Sequence, residues 1–318
     1  MRVGRRVTMG LAATGVAPVH AVQGATLIVP FSAGGAADIT AHILARHVQR
    51  LLPEPWRLVV ENRPGASGAV GTHAVARAAP DGRTLLLARV GSSAILPAID
   101  SRTAFAWDDF SFLGLLDENP WLIAVRADAP WADLAGLAAA LRDAPGRLRF
   151  ATSGPATILD LGVRQFFVAA GLELDAATAV VSRGGADAVA ALLDGQADFV
   201  GNNLPELMAP LRQGRLRALA VSSGTPMLPG VPGMAEAGFP ALETLTGWSA
   251  LAGPPGLPAE IQAFWADLLG RLATDAAWME DTARAGSRPR ILPGPATKAF
   301  IAEQVEMYRV LGRRLGLA

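Results

Sequence analysis

The sequence predicts an α/β protein made of two doubly wound lobes with a hinge and an interlobe cleft. Three observations point there: short β-rich runs alternate with longer runs of helical period, the loops that follow the strands are built of small residues, and the scheme occurs in two series. In the first series Ala25 to Val29 reads as a strand, stopped by Pro30 and the loop Ser32-Ala33-Gly34-Gly35. A helix follows with Ile39, Ile43, Val48, Leu51 and Leu52 spaced to line one face, ending at Pro53. Arg57 to Val60 is a second strand, and after the loop Asn62 to Gly68 a helix runs to about Ala79 with Val70, Ala74 and Ala78 on one side. Thr84 to Ala88 is a third strand leading into Gly91-Ser92-Ser93.

The second series repeats the scheme. Leu148 to Ala151 is a strand, Thr152 to Thr157 a loop, and a helix passes through Leu161, Phe166 and Phe167. Then come Ala179 to Val181, the loop Ser182-Arg183-Gly184-Gly185, a helix to Leu193, Asp198 to Val200, Asn202-Asn203 and a short helix opened by Pro205. Leu216 to Val221 is one more strand. The Pro- and Gly-rich stretch Thr225 to Gly238 precedes Gly247 to Leu251, and the remainder reads as helices over Pro258 to Thr274, Asp275 to Ala285 and Pro295 to Leu315. The expected division is residues 22–119 plus 247–318 as lobe 1 and 120–246 as lobe 2.

Composition narrows the chemistry. The 318 residues carry 28 basic and 28 acidic side chains, so there is no basic footprint for a nucleic-acid backbone. With no cysteine there is no disulfide, thiolate metal site or thiol nucleophile, and with Lys298 as the only lysine there is no Walker A loop. Residues 1–21 have the layout of an export signal: Arg2, Arg5 and Arg6, an apolar run from Val7 to Val19, and a small-residue end at Ala21. The pair Arg5-Arg6 also fits a loose twin-arginine signal, so the export route stays open. Export places the mature chain in the periplasm, with 25 basic against 28 acidic residues.

In open α/β sheets the ligand site lies beyond the carboxyl ends of the strands. Here those loops hold almost no charged side chains, leaving backbone N–H groups at helix starts and hydroxyls as the useful donors. Such donors suit a carboxylate or phosphate. Catalytic patterns are missing: Gly65 to Gly71 is not a dinucleotide fingerprint, no G-x-S-x-G elbow or H-E-x-x-H exists, and no metal or cofactor is expected. His42 and His47 read as surface or partly packed, the pairs Asp108-Asp109 and Asp117-Glu118 as solvated loop acids, and the seven Trp as core and interface.

The segments IVPFSAGGAADITAHILA (28 to 45), VVENRPGASGAVGTHAVARAAPDGRTLLLA (59 to 88), GQADFVGNNLP (195 to 205), GRLRALAVSS (214 to 223) and GWSALAGPPGLPAEI (247 to 261) carry a family likeness. Over essentially the whole mature length the chain resembles the periplasmic substrate-binding receptors of tripartite tricarboxylate transport systems, the Bug-type receptors. The resemblance implies a type II periplasmic binding protein fold that closes on a small organic anion, a mono- or dicarboxylate, without catalysis. It implies delivery to membrane transporter subunits or a sensor kinase, by a monomer. Carried over residue by residue, the ligand loops fall on Phe31, Ser32, Ala33, Gly34, Gly35 and Asp38, on Ser67 and Gly68, and on Ser92 and Ser93 of one lobe. From the other come Thr152, Ser153, Thr157, Arg183, Gly184 and Asn202. Asp38 is expected either to orient its loop or to sit as a first-turn acid, and Arg183 either to pair a carboxylate or to salt-bridge at the cleft edge.

The chain departs from the family's pattern at Asp160, where relatives often have His, at Asn202 for Asp, at Leu96 for Asn, and at Arg89, where small residues are common. A secreted hydrolase or lyase on the same scaffold, and an aromatic or sugar binder using tryptophan, are the competing readings.

Overall fold

The computed structural model describes residues 24–222 and 227–317. The expected export signal therefore lies outside the described residues. In chain order the elements are β1 (Gly24–Val29), α1 (Ala36–Gln49), β2 (Arg57–Asn62), α2 (Ala69–Ala76), β3 (Thr84–Arg89), α3 (Leu96–Ile99) and β4 (Ser111–Arg126). There follow α4 (Leu134–Asp143), β5 (Arg149–Thr152), α5 (Ile158–Ala169), β6 (Thr178–Val181), α6 (Gly185–Leu193), β7 (Phe199–Asn203), α7 (Leu204–Arg212) and β8 (Leu216–Val221). The chain closes with β9 (Thr246–Gly253), α8 (Ala259–Leu272), α9 (Ala276–Arg284), β10 (Arg288–Pro293) and α10 (Gly294–Arg314).

The two halves repeat one topology. β2, β1 and β3 are parallel neighbours in that order, and β9 joins β3 antiparallel. β6, β5 and β7 are likewise parallel neighbours, and β4 joins β7 antiparallel. Parallel strands need crossover helices, which places α1 and α2, then α5 and α6, over the sheet faces with their N-termini at the strands' carboxyl ends.

β4 is the element that ties the halves together. Its first ten residues pair with β9, from Ser111 against Gly253 to Pro120 against Thr246, and with β10. From Trp121 onward it pairs instead with β7 and β8. Pro120 has no N–H to give a ladder and stands where the partner changes. Trp121, the next residue, is fully buried and fills space left by two glycines: a Cβ on Gly162 would lie 2.5 Å from its ring, and one on Gly201 would collide with both the ring and Val163.

Neither β4 nor β10 is anticipated by the sequence pattern. In β4 the polar run Asp117-Glu118-Asn119-Pro120 interrupts two apolar stretches and hides their continuity. Asp117 is correspondingly not a solvated loop acid; it is buried in the strand and its Oδ2 accepts from Thr40 Oγ1 at 2.7 Å. Asp108 and Asp109 are exposed in a short turn. β10 is an outer strand that contains Pro289 and Pro293, which mask its period.

The buried face of α1 also differs from expectation. Ala37, Ala41, Leu44 and Val48 face the core, while Ile39 and Ile43 are only partly buried. His47 is buried, not superficial, with Nε2 2.8 Å from Asp281 Oδ2 and Nδ1 2.7 Å from Arg50. In α2 the core face is Gly71, Thr72 and Val75, and Val70 is exposed. Small residues on these faces let helix and sheet approach closely, which a count of large apolar side chains overlooks.

Gly201→Ala is expected to overpack the Trp121 site and lower stability by about 1–3 kcal/mol. Gly270→Ala, in an exposed helical position with nothing within 4 Å, should be neutral or stabilising by up to ~1 kcal/mol. Urea unfolding of both variants checks this; equal effects would contradict the packing described.

Candidate ligand-binding site

The loops after β1 and β3 from one half and after β5, β6 and β7 from the other meet across the cleft. One pocket, of about 430 Å³ including its mouth, is lined by Phe31, Ser32, Gly35, Arg89, Ser153 and Thr157 together with Asn203 and Glu206. A second, more open one beside it shares Phe31 and Ser153 and adds Ser67, Gly68 and Arg183. None of the tryptophans lines either pocket, and Trp121, Trp248, Trp265 and Trp278 are buried in the core.

The expected residues divide in the structure. Ser32 reaches across the cleft so closely that a Cβ on Gly184, the residue before α6, would collide with its Oγ, which is buried without a hydrogen-bond partner. Gly35 lines the first pocket at the start of α1, whereas Ala33 and Gly34 are exposed and line neither. Asp38 orients the loop: its Oδ2 accepts from the Gly34 N–H at 2.9 Å and its Oδ1 from Asn62 Nδ2 at 2.9 Å. That clamp holds Gly34 at φ +81°, a conformation glycine adopts without steric cost.

Ser67 bridges the cleft through a 2.5 Å bond from its Oγ to the carbonyl of Pro155. Ser92 and Ser93 are wholly buried with their hydroxyls 3.4 Å apart and line neither pocket. Thr152 is buried beneath its loop, Ser153 lines both pockets, and Thr157 lines the first while its Oγ1 donates to the Gly154 carbonyl at 2.8 Å. Arg183 is exposed at the edge of the second pocket, paired with Asp187 at 2.9 Å. Asn202 lies behind the site, donating to the Gly185 carbonyl at 3.1 Å, and its neighbour Asn203 lines the pocket instead. Asp160 is buried in the first turn of α5 and neutralised by Arg164 at 2.6 Å.

Two charged residues of the site escape a reading based on loops. Arg89, the last residue of β3, is 4% exposed and donates from Nη1 to Asn119 Oδ1 at 2.9 Å and to Ser249 Oγ at 2.5 Å. Burial lowers its pKa, opposed by the charges of Asp117 and Glu206. Glu206, in the first turn of α7, sends its carboxylate across the cleft, where Oε1 accepts from the Ala36 N–H of α1 at 2.9 Å. A Cβ on Gly185 would collide with that oxygen, so the carboxylate sits between the N-termini of α1 and α6. Its Oε2 is sealed from solvent without a partner. Burial raises the pKa of Glu206 and of Asp117, each against the pull of Arg89. The sequence signal for Glu206 is weak because an acid in a first helical turn is ordinary.

Helix N-termini from opposing halves thus converge on one carboxylate position, in a two-lobed sheet of repeated topology. Residues 41–317 match the tripartite tricarboxylate transporter family receptor. The chain belongs to that family. It is 30% identical over 317 residues to Protein BugT of Bordetella pertussis (strain Tohama I), across 97% of this chain and 94% of that one. The solved structure of periplasmic binding protein BugD superposes with a TM-score of 0.85 at 27% identity, covering 92% of this chain and 98% of that one. MatC from Rhodopseudomonas palustris with bound malate superposes at 0.82 and 25% identity, covering 91% and 98%. The fold is that of a two-lobed periplasmic binding protein, and the family's members are substrate-binding receptors. No helix among the described residues is long and apolar enough to cross a membrane.

Arg89→Met is expected to cost about 2–4 kcal/mol of stability, because it leaves Asn119 Oδ1 and Ser249 Oγ without their buried charged donor and removes the positive charge near Asp117 and Glu206. Guanidinium denaturation measures it, and a loss below about 1 kcal/mol would contradict the role given to this buried cation.

Proposed function

We propose that this receptor captures a small carboxylate-bearing solute in the interlobe cleft and passes it to membrane transporter subunits or a sensor kinase. It acts as an exported monomer freed of residues 1–21, with residues 22–119 plus 247–318 and residues 120–246 as the two bodies that close on the solute. The change of partners along β4 at Pro120 and the start of β9 at Thr246 support that division. The observation that carries the function is the start of α5 facing a pocket whose one fixed cation is Arg89. Ile158 and Leu159, the first two residues of α5, line that pocket, and the amides of a first helical turn have no intrahelical acceptor.

The malate held by MatC supports a carboxylate as the class of solute. A hydrolase on this scaffold needs a nucleophile with a base in reach. Ser32, Ser153 and Thr157 are the hydroxyls of the first pocket, and no histidine among the described residues lines it. The receptor reading therefore stands over the catalytic one.

A panel of mono- and dicarboxylates in a thermal-unfolding assay tests this. A true ligand at about 100 times its Kd adds ~2.7 kcal/mol to stability and raises Tm accordingly. Turnover of a panel member, or shifts with sugars alone, would overturn the proposal.

A further inference from the structure

One stretch of chain forms a wall of both pockets. Thr157, Ile158 and Leu159 line the first, Gly154 and Pro155 line the second, and Ser153 lines both. From the other half of the molecule Phe31 also lines both. Two glycines leave room for its ring: a Cβ on Gly68 would lie 3.0 Å from it, and one on Gly91 would lie 3.6 Å from it. A solute whose carboxylate sits at the start of α5 therefore has the second pocket, of about 860 Å³ including its mouth, next to its other end.

The second pocket is poor in groups that would hold another charge. Pro64 and Pro155 have no amide hydrogen, and the Ser67 hydroxyl already donates to the Pro155 carbonyl. Arg183, the one charged side chain of its lining, is 83% exposed and paired with Asp187, so it adds little to the binding of an anion. Apolar surface comes from both halves, from Phe31, Pro64 and Ala66 on one side and Pro155 and Val181 on the other. Val181, the last residue of β6, is 64% exposed, more than any other large apolar side chain among the described residues. We propose that the second pocket is a subsite for an apolar tail, so that the receptor selects monocarboxylates whose far end is a hydrocarbon chain. This rests on the reading of the cleft as a carboxylate receptor and names the class of its solute. Each methylene covered there adds about two- to threefold in affinity, less than full burial gives because the pocket opens to solvent. A second carboxylate in the same place loses water and meets no unpaired cation.

Calorimetric titration at pH 7 with chain-matched acids tests the inference. The probes are butyrate, hexanoate and octanoate against succinate, adipate and suberate. Expected for the wild type is an affinity that climbs about two- to threefold per methylene along the monocarboxylates, with octanoate roughly tenfold or more tighter than suberate. Val181→Asn, a polar side chain of similar size at the rim, is expected to lower the octanoate-to-butyrate affinity ratio by about threefold or more, and Val181→Leu to keep or raise it. If suberate or adipate binds the wild type as tightly as its chain-matched monocarboxylate, or if affinity is flat from butyrate to octanoate, the inference is overturned and the carboxylate reading survives. A ratio retained in full by Val181→Asn overturns the assignment of the tail to this pocket. Binding of no probe overturns both readings. The wild-type series needs no variant, so a misfolded substitution does not remove the test.

Discussion

The hydrogen bond from the Ala36 amide to the Glu206 carboxylate is the contact on which the cleft depends. It joins the start of α1 to the first turn of α7 and so ties one half of the molecule to the other at their charge-bearing ends. A helix start carries roughly half a positive charge in its unpaired amides, and a carboxylate there is favoured by up to about 2 kcal/mol when partly buried. Two starts, α1 and α6, share this one. Gly184 and Gly185 are what allow it, because side chains there would occupy the space of Ser32 and Glu206.

A buried acid needs compensation, and the fold supplies it through a polar layer under the cleft. Arg89 sits at the end of β3, Asn119 and Asp117 on β4, Ser249 on β9 and Thr40 on α1, so the layer is drawn from four elements of one half. These strands are neighbours in the sheet. The same β4 that carries Asp117 and Asn119 runs on past Pro120 into the other half, where Trp121 packs between Gly162 and Gly201. The charge arrangement at the pocket floor and the route of the chain between the halves therefore share one strand. Ser67 to Pro155 adds a second direct tie at the mouth of the cleft.

Much of this was legible in the sequence. Six strand and loop units followed from punctuation by Pro, Gly and short β-branched runs, and their positions in the sheet conform to the doubly wound class. β4 was illegible because Asp117 to Pro120 looks like a turn unless one knows that Thr40 awaits Asp117 and Arg89 awaits Asn119. The family likeness led to Ser32, Gly35, Ser67, Gly68, Ser153, Thr157 and Arg183, all of which line the pockets. It also led to Ser92, Ser93, Thr152 and Asn202, which are buried behind them; loop membership alone does not tell which side of a backbone faces the cavity. Arg89 was visible only as a departure, and Glu206 not at all, because its partner lies 170 residues away in the chain.

The most direct test is a crystal structure of the protein saturated with its tightest-binding solute. The account places Glu206 on the Ala36 amide in that complex, with the solute's carboxylate toward the first turn of α5. A solute carboxylate seated on Ala36, with Glu206 turned out of the cleft, would contradict it.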